Sequence, residues 1–238
     1  MHDEDFDIDS LAAFLHLTPQ QVMRLADRGK VPGRKVGGEW RFSAAEIHHW
    51  LEERIGLSDD AELAQMETVL HRSGKPADAP ISITDMLPLE AIAVPLAART
   101  RQSVITAMTE LAANTGLLWD PEKMAEAVRA REDMHPTALD NGIALLHPRR
   151  PMAAILGEAF LAFGRTETGI PFGSSRGVMT DLFFLICSVN DRDHLRTLAR
   201  LSRLISDDRL VETLRLAPDA AAVRAAIAAK EEELGPVQ

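Results

Sequence analysis

The sequence predicts a chain of two domains: a small helical domain that includes a β-hairpin, and a larger α/β domain whose mixed sheet is flanked by helices. A chain of 238 residues is long enough for both domains. Residues 73–80 are rich in serine, glycine, proline and aspartate, a composition typical of a linker. We therefore expect the first domain at residues 1–55, a linker with a short helix at 56–80, and the second domain at 81–238.

Composition and charge limit the classes of protein to consider. The formal net charge of −10 excludes a protein that coats nucleic acid or anionic membrane with its whole surface, although a local basic patch is compatible with it. The one cysteine, Cys187, excludes an internal disulfide, and its apolar neighbours predict a core position. Because no stretch reaches the ~20 apolar residues of a membrane span and the acidic start differs from a signal peptide, we expect a cytoplasmic protein with no membrane partner.

The first domain has clear signals for each element. A first helix is predicted over residues 11–15, and a capping threonine followed by proline opens a second helix at Pro19, which ends by Gly29. The pair Gly37-Gly38 suits a two-residue hairpin turn. A Ser-Ala-Ala-Glu capping box then opens a third helix after Ser43. The predicted order is helix, helix, hairpin, helix.

A local basic patch lies in this domain. Residues 18–42 contain six basic and two acidic side chains, which give a local charge of +4. Amide and guanidinium groups near the start of the second helix can reach base edges in a DNA major groove, and hairpin cations can reach phosphates. The candidate DNA-binding residues are Gln20, Gln21, Arg24, Arg34, Lys35 and Arg41. Charge alone equally allows a solvated basic face.

The whole pattern of residues 8–52 is more specific than its charge. The turn at 29–32, the hairpin start at 34–38 and the segment Trp40-Arg41-Phe42 resemble the winged helix-turn-helix domain of the excisionase type within the MerR-like superfamily. The resemblance implies that the helix after Thr18 is the recognition element and that the hairpin cations contact DNA as a wing. DNA is therefore the expected partner of this domain.

The second domain alternates helices with short apolar strands. Helices are predicted at 91–97, 103–114, 121–131, 194–206 and 220–233, and strands at 142–146, 152–157 and 182–187. The stretch Gly169–Gly177 lacks the Lys-Ser/Thr ending of a nucleotide-binding loop and is interpreted as a turn. His48 and His49 have no cysteine partners, so we interpret them as a solvated pair and expect neither a metal nor a cofactor.

His147 directly follows an apolar strand, where a partner can reach its imidazole, a competent nucleophile near neutral pH. Taken alone, such a histidine is more often structural. However, the sequence contains, in this order, Arg131-Glu132, Thr137, Asn141-Gly142-Ile143-Ala144, His147 and Asp193-His194-Leu195. In this pattern residues 81–232 look like the type-2 enzyme IIA domain of the bacterial phosphotransferase system, of the fructose, mannitol and nitrogen-regulatory class.

This resemblance implies transfer of a phosphoryl group from a phosphocarrier protein to His147, with Arg131 and His194 compensating the charge of the phosphoryl oxygens. Two residues depart from the family pattern: Leu146 replaces the usual proline and Pro148 replaces a small residue. The leading hypothesis is a DNA-binding regulator that senses phosphotransferase status through His147. The alternatives are a relay component that passes phosphate to a separate permease subunit and a regulator that binds without being phosphorylated. Helices with apolar faces also make a homodimer a candidate assembly.

Overall fold

The computed structural model describes residues 5–15, 17–57, 63–64, 67–68, 70 and 81–235. Within these ranges lie eight α-helices, a two-stranded sheet and a four-stranded sheet. None of the helices so described is both long and apolar enough to cross a membrane.

The N-terminal elements follow the predicted order. They are α1 (Ile8–Leu15), α2 (Pro19–Asp27), β1 (Arg34–Val36), β2 (Glu39–Arg41) and α3 (Ala44–Leu57). The predicted capping box is confirmed, because Thr18 Oγ1 accepts the Gln21 N–H at 3.3 Å and Gln21 Oε1 accepts the Thr18 N–H at 2.8 Å. The hairpin turn also forms as expected, with φ of +63° at Gly37 and +89° at Gly38.

Phe42 centres the core of this small domain. Its side chain is fully buried, and its backbone exchanges two hydrogen bonds with Phe6, at 2.8 and 2.9 Å. Leu11 of α1, Val22 of α2 and Ile47 of α3 are equally buried around it. The hairpin is thereby fixed against the three helices.

The second domain contains a mixed sheet flanked by helices, as predicted. Its strands lie in the order β3-β5-β6-β4, with β3 parallel to β5, β5 antiparallel to β6 and β4 parallel to β6. The elements are β3 (Ile92–Ala93), α4 (Arg101–Ala113), α5 (Pro121–Met134), β4 (Ile143–Leu146), β5 (Phe160–Pro171), β6 (Met179–Cys187), α6 (Asp191–Ile205), α7 (Asp208–Leu216) and α8 (Ala220–Leu234).

Two element predictions are wrong. The helix expected at 91–97 is a 3-10 turn, Leu89–Ala91, that leads into the edge strand β3. The strand expected at 152–157 is another 3-10 turn, Ala153–Ile155. In both places the apolar run is too short to show the periodicity that would distinguish a helix, a strand and a turn.

The residues between the domains pack against both of them. The short helix predicted within the linker is only partly described: residues 63–64, 67–68 and 70 are helical, and the other residues of 58–80 lie outside the described ones. Leu63 and Leu70 are 2% and 3% exposed and belong to one continuous apolar cluster with the cores of both domains. In addition, α3 packs against α6, so the two domains are in direct contact.

Candidate functional site

His147 lies at the carboxyl end of β4. All four residues of this strand are buried between the helical layers, and β4 runs parallel to β6 with Leu146 opposite Leu185. The carboxyl ends of parallel strands lie at the same edge of the sheet, so the residues that follow β4 and β6 come together. The His147 side chain is 2% exposed at this edge.

A backbone carbonyl fixes the orientation of the His147 ring. Its Nδ1 lies 2.8 Å from the carbonyl oxygen of Leu145. A carbonyl oxygen only accepts hydrogen bonds, so Nδ1 carries the hydrogen and the lone pair of the neutral ring lies on Nε2. Nε2 is therefore the ring nitrogen that could act as a nucleophile.

His194, the second histidine predicted for the site, lies beside His147. It lies in the first turn of α6, which is capped by Asn190, and its side chain is 5% exposed. The centroids of the His147 and His194 rings are 5.0 Å apart, and the ring planes are tilted by 53°. The structure thus brings the two predicted histidines into direct contact.

Ser188 supports His194 and was not predicted from the sequence. It follows β6 directly, is 3% exposed, and places its Oγ 3.1 Å from His194 Nδ1. When the hydroxyl donates to Nδ1, Nε2 of His194 carries the proton and becomes a hydrogen-bond donor. A polar residue directly after a buried strand was the available signal, the same one that singled out His147.

Arg131 holds the segment that runs beside β4. It lies near the end of α5, is 5% exposed, and donates from Nη1 to the carbonyl oxygen of His135 at 2.7 Å. Residues 135–139 pair with β4 through two backbone hydrogen bonds. The Leu139 N–H donates to the Ile143 carbonyl oxygen at 2.7 Å, and the Leu145 N–H donates to the Thr137 carbonyl oxygen at 3.4 Å. The structure therefore links Arg131 to the residue whose carbonyl orients His147.

Glu132 fixes the same segment from inside the domain. Its buried carboxylate accepts hydrogen bonds from the N–H of Thr137, at 3.2 Å, and from the Thr137 hydroxyl. Burial raises the pKa of Glu132, while the bonds from Thr137 and the positive charges of Arg101 and Arg131 act in the opposite direction. Arg101 Nη2 lies 3.5 Å from this carboxylate. No local sequence signal identified Arg101, because its contact depends on the packing of α4 against α5.

The immediate neighbours of His147 combine buried apolar residues with exposed cations. Leu146 is fully buried at the end of β4 and Pro148 is buried after the histidine. Arg149 and Arg150 are exposed. The two departures from the family pattern therefore lie in the wall of the site, and the two arginines lie at its surface.

The predicted DNA-binding residues lie on α2 and on the hairpin. Gln20 and Arg24 are exposed on α2, whereas the Gln21 amide is engaged in the capping box. On the hairpin, Arg34 pairs with Asp5 at 3.1 Å, Lys35 with Asp27 at 3.9 Å and Arg41 with Glu39 at 3.1 Å. Such surface pairs are weak, and DNA phosphates can replace the carboxylates.

Side chains that could hold a metal ion do not cluster in the described part of the chain, in which no group of three His, Cys, Asp or Glu residues converges. The His49 ring lies 6.4 Å from that of His135, a contact between the two domains. The side chain of His48 lies outside the described residues. Cys187 is buried, as predicted, and burial raises the pKa of its thiol well above the ordinary value.

The chain thus joins a small helical domain with a β-hairpin to a mixed-sheet domain that carries a histidine pair at one edge. Residues 85–230 match the family described as phosphoenolpyruvate-dependent sugar phosphotransferase system, EIIA 2, and residues 6–55 match a helix-turn-helix domain. The chain belongs to this EIIA type-2 family and carries an N-terminal helix-turn-helix domain.

Relatives and solved structures agree with this assignment. A nitrogen regulatory protein of Bradyrhizobium diazoefficiens is 33% identical over 150 residues, which are 61% of this chain and 94% of that protein. The fructose-specific EIIABC component of Bacillus subtilis is 29% identical over 136 residues, 56% of this chain but 21% of that protein. The crystal structure of the nitrogen regulatory protein IIA-Ntr of Neisseria meningitidis shares the fold, with a TM-score of 0.52, 24% identity, and coverage of 61% of this chain and 98% of that one.

Proposed function

We propose that this chain is a bacterial DNA-binding transcriptional regulator that receives a phosphoryl group on His147 and thereby senses the state of the phosphotransferase system. Helix-turn-helix domains bind DNA, and the EIIA type-2 family belongs to the phosphotransferase system. The observation that carries the proposal is the contact between His147 and His194, whose ring centroids are 5.0 Å apart at one sheet edge.

The chemistry follows from the orientation of His147. Its Nε2 lone pair attacks the phosphorus of a phosphohistidine on the phosphocarrier protein, forming a new N–P bond. The N–P bond of the carrier breaks, and its electron pair returns to the carrier imidazole. The attack makes the His147 ring positive, and the Leu145 carbonyl that accepts its Nδ1–H at 2.8 Å stabilises that charge.

His194 and Arg131 compensate the charge of the phosphoryl oxygens in this proposal. With Ser188 donating to Nδ1, Nε2 of His194 carries a hydrogen that it can donate to the group that His147 receives. Arg131 contributes a permanent positive charge and also orders the segment beside β4 through the His135 carbonyl. Both residues act by positioning and electrostatics, which dominate phosphoryl transfer.

A transfer assay with the full chain tests the phosphorylation. The chain is mixed with labelled phosphoenolpyruvate, the general phosphotransfer enzyme and the phosphocarrier protein. We expect an acid-labile phosphate that is lost in His147→Ala and retained in His16→Ala, a matched histidine change in the first domain. A phosphorylated carrier that leaves the wild-type chain unlabelled would contradict the proposal.

A genomic footprint and a binding isotherm test the DNA-binding half. We expect replacement of Arg34, Lys35 and Arg41 by alanine to weaken binding and to reduce its dependence on salt concentration, because fewer phosphates are neutralised. Replacement of the exposed Arg149 and Arg150 is the control for loss of positive charge outside the wing. Sedimentation of the DNA-bound chain tests the homodimer expectation.

A regulator that binds without phosphorylation is the second candidate, and the burial of His147 favours it. The side chain is 2% exposed between the buried residues Leu146 and Pro148. The transfer assay separates the two candidates, because this one predicts carrier binding without a stable label. Passage of the label from His147 to a permease fragment would instead support a relay component.

A further inference from the structure

Helix α6, which carries His194, is buried on its polar side as well as its apolar side. A helix that packs one face on a sheet normally exposes its polar side chains to solvent. In α6, however, Arg196 and Arg200 are 5% and 4% exposed. Part of this cover comes from outside the EIIA domain, because α3 of the winged-helix domain packs against α6.

A buried ion cluster joins the residues that follow α3 to α6. Glu67 is 3% exposed. Its Oε1 lies 3.2 Å from Arg200 Nη1, and its Oε2 lies 2.7 Å from Arg203 Nη1. Arg200 also contacts Glu231 at 3.5 Å. Docking of the segment that contains Glu67 thus supplies one buried carboxylate to two arginines of α6, and removal of Glu67 is expected to weaken that docking.

The winged-helix domain also reaches the segment that runs beside β4. His49 of α3 contacts His135, with ring centroids 6.4 Å apart. His135 follows α5, and its carbonyl accepts the hydrogen bond from Arg131. The domain therefore contacts α6 and the residue that follows α5. We call that residue, His135, which begins the segment beside β4, the rim of the site.

We propose that the winged-helix domain and the phosphocarrier protein compete for this rim. The identity of the phosphocarrier protein as the competing partner rests on the proposed function. His147 and His194 are 2% and 5% exposed, so a protein that delivers phosphate to His147 must occupy the surface that surrounds them. The docked winged-helix domain holds part of that surface. Because coupling between two binding events is reciprocal, carrier binding weakens the docking of the domain, and docking weakens carrier binding.

Titration of the full chain with unphosphorylated phosphocarrier protein tests the competition. Glu67→Ala removes the buried carboxylate and is expected to tighten carrier binding by about tenfold, a usual size for coupling between sites. Asp207→Ala is the matched control, because Asp207 pairs with Lys230 at 2.5 Å within the EIIA domain. Arg203→Ala is the second variant in case Glu67→Ala does not fold, since the Arg203 side chain is 21% exposed and its removal leaves Arg200 beside Glu67.

The outcomes separate this inference from the proposed function. Equal carrier affinity of the wild type, Glu67→Ala and Arg203→Ala would overturn the competition, as would absence of carrier binding to all three. Tighter binding by the variants without any label on His147 would support the competition and contradict the proposed phosphorylation. If His147 is labelled at the same rate in every variant, and every variant binds the carrier with the same affinity, the result would support the phosphorylation and contradict the competition.

Discussion

His147 and His194 contact each other at the edge of the mixed sheet, with ring centroids 5.0 Å apart and ring planes tilted by 53°. His147 follows β4, and His194 opens the helix that comes after β6. The parallel pairing of β4 with β6 therefore creates the contact. The two histidines form one unit whose members have different expected roles.

Removal of the second histidine is expected to slow phosphoryl transfer without abolishing it. His194→Ala deletes one donor to the phosphoryl oxygens, so we expect the initial rate of labelling to fall by about 10². Ser188→Ala removes only the contact that orients His194 and should cost less. Rapid-quench measurement of the labelled chain gives both rates, and an unchanged rate in His194→Ala would exclude this role.

Glu132 is expected to give the stability of the fold a specific pH dependence. Burial raises the pKa of Glu132 above its ordinary value of 4.5, so the folded state favours the protonated carboxyl. Its contribution to stability is complete below the ordinary pKa and is lost as pH rises through the folded-state pKa. The unfolding free energy of the wild type should therefore decrease with rising pH relative to that of Glu132→Gln. Urea unfolding of both proteins at pH values from below the ordinary pKa of Glu132 upward measures this difference in free energy. Unfolding free energies that change with pH in parallel would contradict the prediction.

Gly142 is expected to tolerate alanine poorly because its backbone has a positive φ and a Cβ at this position would clash. Its φ is +84°, and a Cβ would lie 2.5 Å from Arg215 Nη2 and 3.2 Å from Asp181 Oδ1. Gly116 has a φ of +74°, and no atom lies within 4 Å of where a Cβ would be. Gly116→Ala therefore measures the cost of the positive φ alone. We expect Gly116→Ala to cost about 1 kcal/mol and Gly142→Ala about 3 kcal/mol in chemical unfolding. Equal costs would show that Arg215 moves away freely.

Neighbouring glutamines of α2 are expected to differ in role. Gln21→Ala removes the side chain that accepts the Thr18 N–H at 2.8 Å and should lower the unfolding free energy by about 0.5 to 1 kcal/mol. Gln20→Ala should leave stability unchanged and weaken operator binding by about 1 to 3 kcal/mol, because an exposed amide is available to a base edge. Thermal unfolding and a binding isotherm on both variants measure the contrast. Operator binding that is insensitive to Gln20 would place the recognition surface elsewhere.

The parts of the molecule with local signals were predictable from the sequence. The Thr18 capping box, the Gly37-Gly38 turn and the apolar strand before His147 each depend on a few adjacent residues. By contrast, β5 was missed because polar residues such as Arg165 and Glu167 interrupt its apolar pattern. Local sequence also cannot show which distant side chains meet.

The contacts that join the two domains are also formed by side chains that are distant in the sequence. Glu67 lies in a segment whose composition predicts a linker, and its partners are far along the chain in α6. The arginines of α6 have the spacing of a solvated helix face, but Arg200 is buried between Glu67 and Glu231, which are distant from it in the sequence. For the same reason, the sequence does not identify Arg101, whose contact with Glu132 depends on the packing of α4 against α5.

The central claim is tested most directly by locating the phosphate on the full chain after incubation with the phosphorylated carrier. Nitrogen-15 NMR of the histidine rings identifies both the residue and the ring atom. The orientation of His147, with Nδ1 held by the Leu145 carbonyl at 2.8 Å, predicts a single phosphohistidine at Nε2 of His147. Phosphate at Nδ1 of His147, phosphate on another histidine, or an unmodified chain beside a fully phosphorylated carrier would contradict it.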